Sequence, residues 1–93
     1  MVNEMIFTFK GKNIIPTKQA LNELSNINLN LSEIPKILEN GFSIRKRKKN
    51  IIEKGIIKKT KIINVVIVDM GNYFKLIHVG KFTLTKKFKK NGS

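Results

Sequence analysis

From residue 42 to residue 80 the chain repeats stretches of Ile and Val broken by short turn signals, a pattern that commits its second half to strands. The spacing predicts strands over roughly Phe42 to Arg47, Asn50 to Lys58, Lys61 to Met70 and Tyr73 to Gly80. Short links between them make the sheet mostly antiparallel. Gly71-Asn72 suits a two-residue hairpin turn, because Gly accepts positive φ at the first central position. Such a turn pairs Met70 with Tyr73, Val68 with Lys75, Val66 with Ile77 and Val65 with His78. That register puts Ile63, Val65, Ile67, Asp69, Phe74, Leu76 and His78 on one face, and Asn64, Val66, Val68, Met70, Tyr73, Lys75, Ile77 and Val79 on the other. Both faces are largely apolar. The hairpin therefore belongs mid-sheet, with helices over one side and a tail or partner over part of the other.

The first half supplies the helices. Met5, Phe7 and Phe9 alternate with Ile6, Thr8 and Lys10, which predicts a short strand before a turn at Gly11-Lys12. Thr17 can cap a first helix carrying Ala20, Leu21, Leu24 and Ile27 at three- and four-residue steps. After the Asn-rich link, Ser32 can cap a second, with Pro35 in its first turn and Ile34, Ile37 and Leu38 as the buried stripe. Asn40-Gly41 would end it through a left-handed residue. The fold expected is thus α+β: a short N-terminal strand, two helices, then a mostly antiparallel four-stranded sheet. Residues 1–90 form one domain, and 91–93 a disordered tail.

With 93 residues the chain can bury only about 60 to 65% of the surface it exposes when unfolded. Its 41% hydrophobic content still suits a globular protein. Without cysteine there can be no disulfide, thiolate nucleophile or zinc ribbon. One His and scattered acids cannot fill a metal shell, and no cofactor motif is present. The amino terminus reads as neither signal peptide nor membrane span, which predicts a cytoplasmic protein.

Charge points to a partner. Residues 1–41 carry four Lys against four Glu, whereas residues 42–93 carry fifteen Lys and Arg against Glu53 and Asp69, so the net +13 lies in the second half. Such segregation favours a polyanion, RNA or DNA above all. The densest run is Arg45-Lys46-Arg47-Lys48-Lys49, with a second cluster at Lys86, Lys87, Lys89 and Lys90. A run of this kind either contacts phosphates or is a solvated loop. His78, the only histidine, is either a general acid or base or a packed structural residue. Tyr73 and Lys75 could stack on a base and hold a phosphate, or form the outer rim of the sheet.

The order of elements, with Pro16-Thr17-Lys18-Gln19-Ala20-Leu21 opening the first helix, Leu31 to Gly41 forming the second, and Lys61 to Met70 followed by Leu76-Ile77-His78-Val79-Gly80, resembles small RelE/BrnT-like proteins. It is more similar to a largely archaeal domain family grouped with them, over residues 5 to 85. The resemblance implies a compact RelE/BrnT-like α+β domain and, for toxin members, metal-independent endoribonuclease activity silenced by an acidic antitoxin. It gives Arg45, Arg47 and Lys75 the role of phosphate clamps and His78 or Tyr73 that of proton transfer. Relatives carry His in a Thr-x-His-Ala motif where this chain has Gln19. If that His is catalytic in them, this protein binds without cutting; if it is structural, nothing is lost. The other readings are a non-catalytic nucleic-acid-binding or ribosome-associated module, and an oligomer built on the apolar sheet face.

Overall fold

Residues 7–83 are described in a computed structural model of the protein. Two strands open the chain: β1 (Thr8–Phe9) and β2 (Lys12–Pro16), joined by a two-residue turn in which Lys10 and Gly11 have φ of 52° and 80°. Positive φ at both positions matches the twist of a tight hairpin, and the turn falls one residue earlier than the sequence predicts. Helix α1 (Lys18–Asn26) follows, then a 3-10 turn (Leu31–Glu33) leading into α2 (Ile34–Asn40). The remaining strands are β3 (Phe42–Ser43), β4 (Ile51–Lys58), β5 (Lys61–Asp69) and β6 (Tyr73–Thr83).

All six strands belong to one curled, mixed sheet of order β1-β2-β6-β5-β4-β3. The expected four-stranded, mostly antiparallel RelE/BrnT-like sheet is therefore wrong. The N-terminal hairpin joins the sheet instead of standing apart, and β2 lies parallel to β6, with Asn13 opposite Tyr73 and Pro16 opposite Leu76. Lys12–Pro16 carries no strand signal in its sequence because it is short, ends in Pro and has a single buried residue, Ile14. A strand ending at Pro16 loses nothing by the missing N–H, since the next amide, Thr17, donates to Leu76 O at 3.0 Å.

The α1 cap forms as the sequence implies: Thr17 Oγ1 accepts from Ala20 N at 3.1 Å. At α2 the details differ. Ser32 lies inside the 3-10 turn, Glu33 occupies the cap position without a side-chain bond, and Pro35 sits in the first turn. Gly41 has φ −77°, so it is not left-handed. It is required for space: a Cβ there would collide with Ile37 O and lie 2.6 Å from Gly55 O.

β5 holds the structure together. Residues 62–67 are all buried, paired with β4 on one side and β6 on the other. On the helix-facing side Ile63, Val65 and Ile67 join Phe74, Leu76 and Val79 of β6 and Ala20, Leu24, Ile34, Ile37 and Leu38 of the helices. Ile62 and Val66 are buried outside this cluster, on the opposite side.

The β5–β6 hairpin turns at Gly71 (φ 101°), with Met70 N donating to Tyr73 O at 2.9 Å. Its register holds as far as Ile67 opposite Leu76, then slips at a bulge, so that His78 pairs with Val66 and Val79 with Val65. The extra residue, Ile77, reverses the facing of everything after it. Val79 thereby enters the helix-covered core, and His78 moves to the opposite face, the reverse of the uninterrupted register.

Gly41→Ala should destabilise the fold by about 1–3 kcal/mol, since two backbone carbonyls would have to move. Urea unfolding of the variant against the native protein measures it.

Candidate functional site

The segment 44–50 is irregular and bends at Arg45, so the strand expected as far as Arg47 ends at Ser43. A strand cannot continue because the chain folds back on β4. Ile44 N donates to Glu53 O at 3.3 Å, and Ile51 N closes a turn onto Lys48 O at 2.9 Å. Arg45 and Arg47, two residues apart, turn to the same side. Both reach Glu53 Oε1: Arg45 Nε at 3.0 Å and Arg47 Nη1 at 3.1 Å. Glu53 is 3% exposed, and its other oxygen accepts from Asn64 Nδ2 at 2.9 Å. Burying a carboxylate is tolerable only with such partners.

Around this triad lies a cleft of about 860 Å³ at the β4 edge. Seven cations line it, Lys10, Lys54 and the whole run Arg45 to Lys49, against Glu39 and Glu53. Lys46, Lys48 and Lys49 are exposed, and among the described residues nothing pairs with their ammonium groups. Lys10, from the neutral half, adds a cation that the charge asymmetry gave no reason to include.

The cations do not form one patch. Lys58, Lys59, Lys61 and Lys81 gather at the opposite end of the β4–β5 hairpin, where Lys58 pairs with Lys61 and Lys81 with Ile63. The length of β4 separates the two groups by roughly 23 Å at about 3.3 Å per residue. Lys86, Lys87, Lys89 and Lys90 lie outside the described residues.

His78 stands at the part of β6 that has outrun β2, alongside α1. Glu23, on α1, accepts from Val79 N at 2.9 Å through Oε1, and His78 Nδ1 lies 3.1 Å from the same oxygen. Gln19 Nε2 donates to Glu23 Oε2 at 3.2 Å. The helix thus supplies an acceptor for an edge amide that no strand pairs. An ionised carboxylate can only accept, so Nδ1 is the nitrogen that donates to Glu23. Burial opposes the charge on Glu23. The bonds from Val79 N–H and Gln19 and the proximity of His78 outweigh it and hold the carboxyl below its ordinary range. Gln19 is thus a hydrogen-bond partner of Glu23.

Tyr73 and Lys75 lie on the face of β6 away from the helices, and His78 reaches Glu23 of α1 at the strand's edge, but Tyr73 and His78 are roughly 15 Å apart along the strand. They form no joint site. Cross-strand rows place Lys75 opposite Val68 and Ile51, and His78 opposite Val66 and Glu53, each two strands, or about 10 Å, from β4. The face is shared with Arg45 and Arg47; the contacts are not.

Asp69, the other acid of the basic half, pairs with Lys12 Nζ at 2.8 Å, and the ammonium lies 4.7 Å from the Phe74 ring centroid. The bond from Lys12 and a further one from Gly71 N hold Asp69 below its ordinary range, against a smaller effect of burial. Among the described residues no group of three His, Cys, Asp or Glu could hold a metal, and no helix is long and apolar enough to cross a membrane.

Comparison with known protein families, with curated proteins and with solved structures finds no match to this chain.

Glu23 and Asp69, both lowered, contribute stability that is present above the unfolded carboxylate values, about pH 4, and is lost as pH falls through their folded values. Glu23→Gln should therefore melt about 5 °C below the native protein at neutral pH, the difference narrowing at a pH below about 4. Thermal unfolding at the two pH values reads it.

Proposed function

We propose that the protein binds a polyanion, RNA foremost, through the cationic cleft at the β4 edge. The supporting observation is the separation of roles within the basic run. Arg45 and Arg47 turn inward to satisfy Glu53, while Lys46, Lys48 and Lys49 stay exposed and, among the described residues, unpaired beside Lys10 and Lys54. The cleft keeps a surplus of five positive charges after its two acids are counted. Phe9, the aromatic residue in its wall, is 5% exposed and offers a base no stacking surface. Contacts would then run to phosphates, giving binding that is sensitive to salt and indifferent to sequence.

Binding has more support than cleavage. A metal-independent ribonuclease needs a base and an acid on either side of a held phosphate. His78 has an orienting carboxylate and an available Nε2, but it stands two strands from the cleft and away from Tyr73.

Replacing Lys46, Lys48 and Lys49 together by Ala should weaken binding of a single-stranded RNA by about tenfold or more at moderate salt. It should also flatten the dependence of log K on log salt by about 0.7 for each phosphate that is no longer neutralised. Fluorescence anisotropy over roughly 50 to 200 mM salt measures both. The triple variant Lys58→Ala, Lys59→Ala, Lys61→Ala removes equal charge from the other end of the sheet. Equal weakening in the two variants would refute the assignment to the cleft.

A further inference from the structure

Glu53 is an acid in the middle of the proposed anion site, and simple charge counting makes it a defect. The geometry points to the opposite: we infer that Glu53 sets Arg45 and Arg47 as a preformed clamp for one backbone phosphate, so that the acid strengthens anion binding. This deepens the reading of the cleft as a polyanion site and rests on it.

Each guanidinium carries five N–H donors in a rigid plane. Arg45 meets Glu53 through Nε as an ion pair and keeps both terminal nitrogens; Arg47 donates Nη1 to it and keeps Nε and Nη2. Because both meet the same oxygen, Oε1, the carboxylate holds the two guanidinium groups side by side against their mutual repulsion. The Arg45 side chain is 65% exposed and that of Arg47 37%, so the unused donors can reach a ligand while the carboxylate beneath them cannot.

The carboxylate is itself fixed. Asn64 Nδ2 holds Oε2 at 2.9 Å, and Asn64 is 6% exposed, lying between Gly55 on β4 and Gly80 on β6. A Cβ on Gly80 would come within 2.5 Å of Asn64 Oδ1, so the glycine leaves room for the amide that orients Glu53. Orientation passes from Gly80 to Asn64, to Glu53, to the two arginines. A clamp set before the ligand arrives loses less side-chain entropy on binding. Arg45 and Arg47 would touch phosphate, while Glu53 and Asn64 are positioning residues.

Glu53→Gln keeps the size of the side chain and raises the net charge of +13 by one. If charge alone governs binding, this variant grips RNA more tightly with a steeper salt slope. The clamp predicts the reverse: about tenfold weaker binding of an oligouridylate of about twelve nucleotides, with a salt slope shallower by about 0.7 because one phosphate goes unheld. Circular dichroism establishes that the variant is folded. Should it not fold, Asn64→Ala, which leaves every charge in place, is expected to weaken binding in the same direction. Binding by the folded variant as tight as or tighter than native, while the Lys46/Lys48/Lys49 variant is weakened, overturns the clamp and leaves the cleft assignment standing. Native protein that binds no RNA at low salt overturns both.

Discussion

β5 is buried on both faces over residues 62–67 and hydrogen-bonded along both edges, which leaves no position in that stretch for a solvated ammonium group. Charge in the basic half is consequently displaced from it. Apart from Lys54 on β4 and Lys75 on β6, the described cations go to the far end of the β4–β5 hairpin and the strand beside it, or into the irregular segment that delivers the chain to β4. The same constraint selects Ile and Val for β5, whose branched side chains fill a pleated surface on both sides. Sorting of charge in this molecule therefore follows from how its core is built.

The two acids of the basic half are placed in contrasting ways. Asp69 ties β5 to β2 across the Phe74 ring, joining the basic half to the neutral half through Lys12. Glu53 is sealed beneath two arginines that belong to the most basic run in the chain. Glu23, a third acid, guards the stretch of β6 edge that β2 is too short to cover. In each case the carboxylate secures a segment that strand pairing alone does not, and none of the three is spent on Lys46, Lys48 or Lys49.

Much of this was legible in the residues. The α1 cap at Thr17, Pro35 in the first turn of α2, the strands β4 to β6 and the Gly71 turn all follow from local patterns with local causes. What escaped was non-local. β2 has too few residues to show a period, and its parallel partner lies sixty positions away, at Tyr73 to Leu76. The bulge at Ile77 has no signature in a run of apolar residues, yet it exchanges the faces of His78 and Val79. At the candidate site the arginines stood out and their anchor did not. Glu53 reads as an isolated acid until β4 and the segment before it are folded together, and Asn64 reads as a polar interruption in β5. Gly80, two residues after His78, was the available clue that something bulky lies opposite.

The functional reading stands or falls on where the polyanion is held: at the β4 edge, or at the other basic end of the sheet. Titrating isotopically labelled protein with single-stranded RNA and following its amide resonances by NMR separates the two. Saturable shifts are expected at Arg45 to Lys49 with Lys10 and Lys54, and little change at Lys58, Lys59, Lys61 and Lys81. Shifts centred on the far turn, or spread evenly over both ends, would show that the β4 edge is not the site.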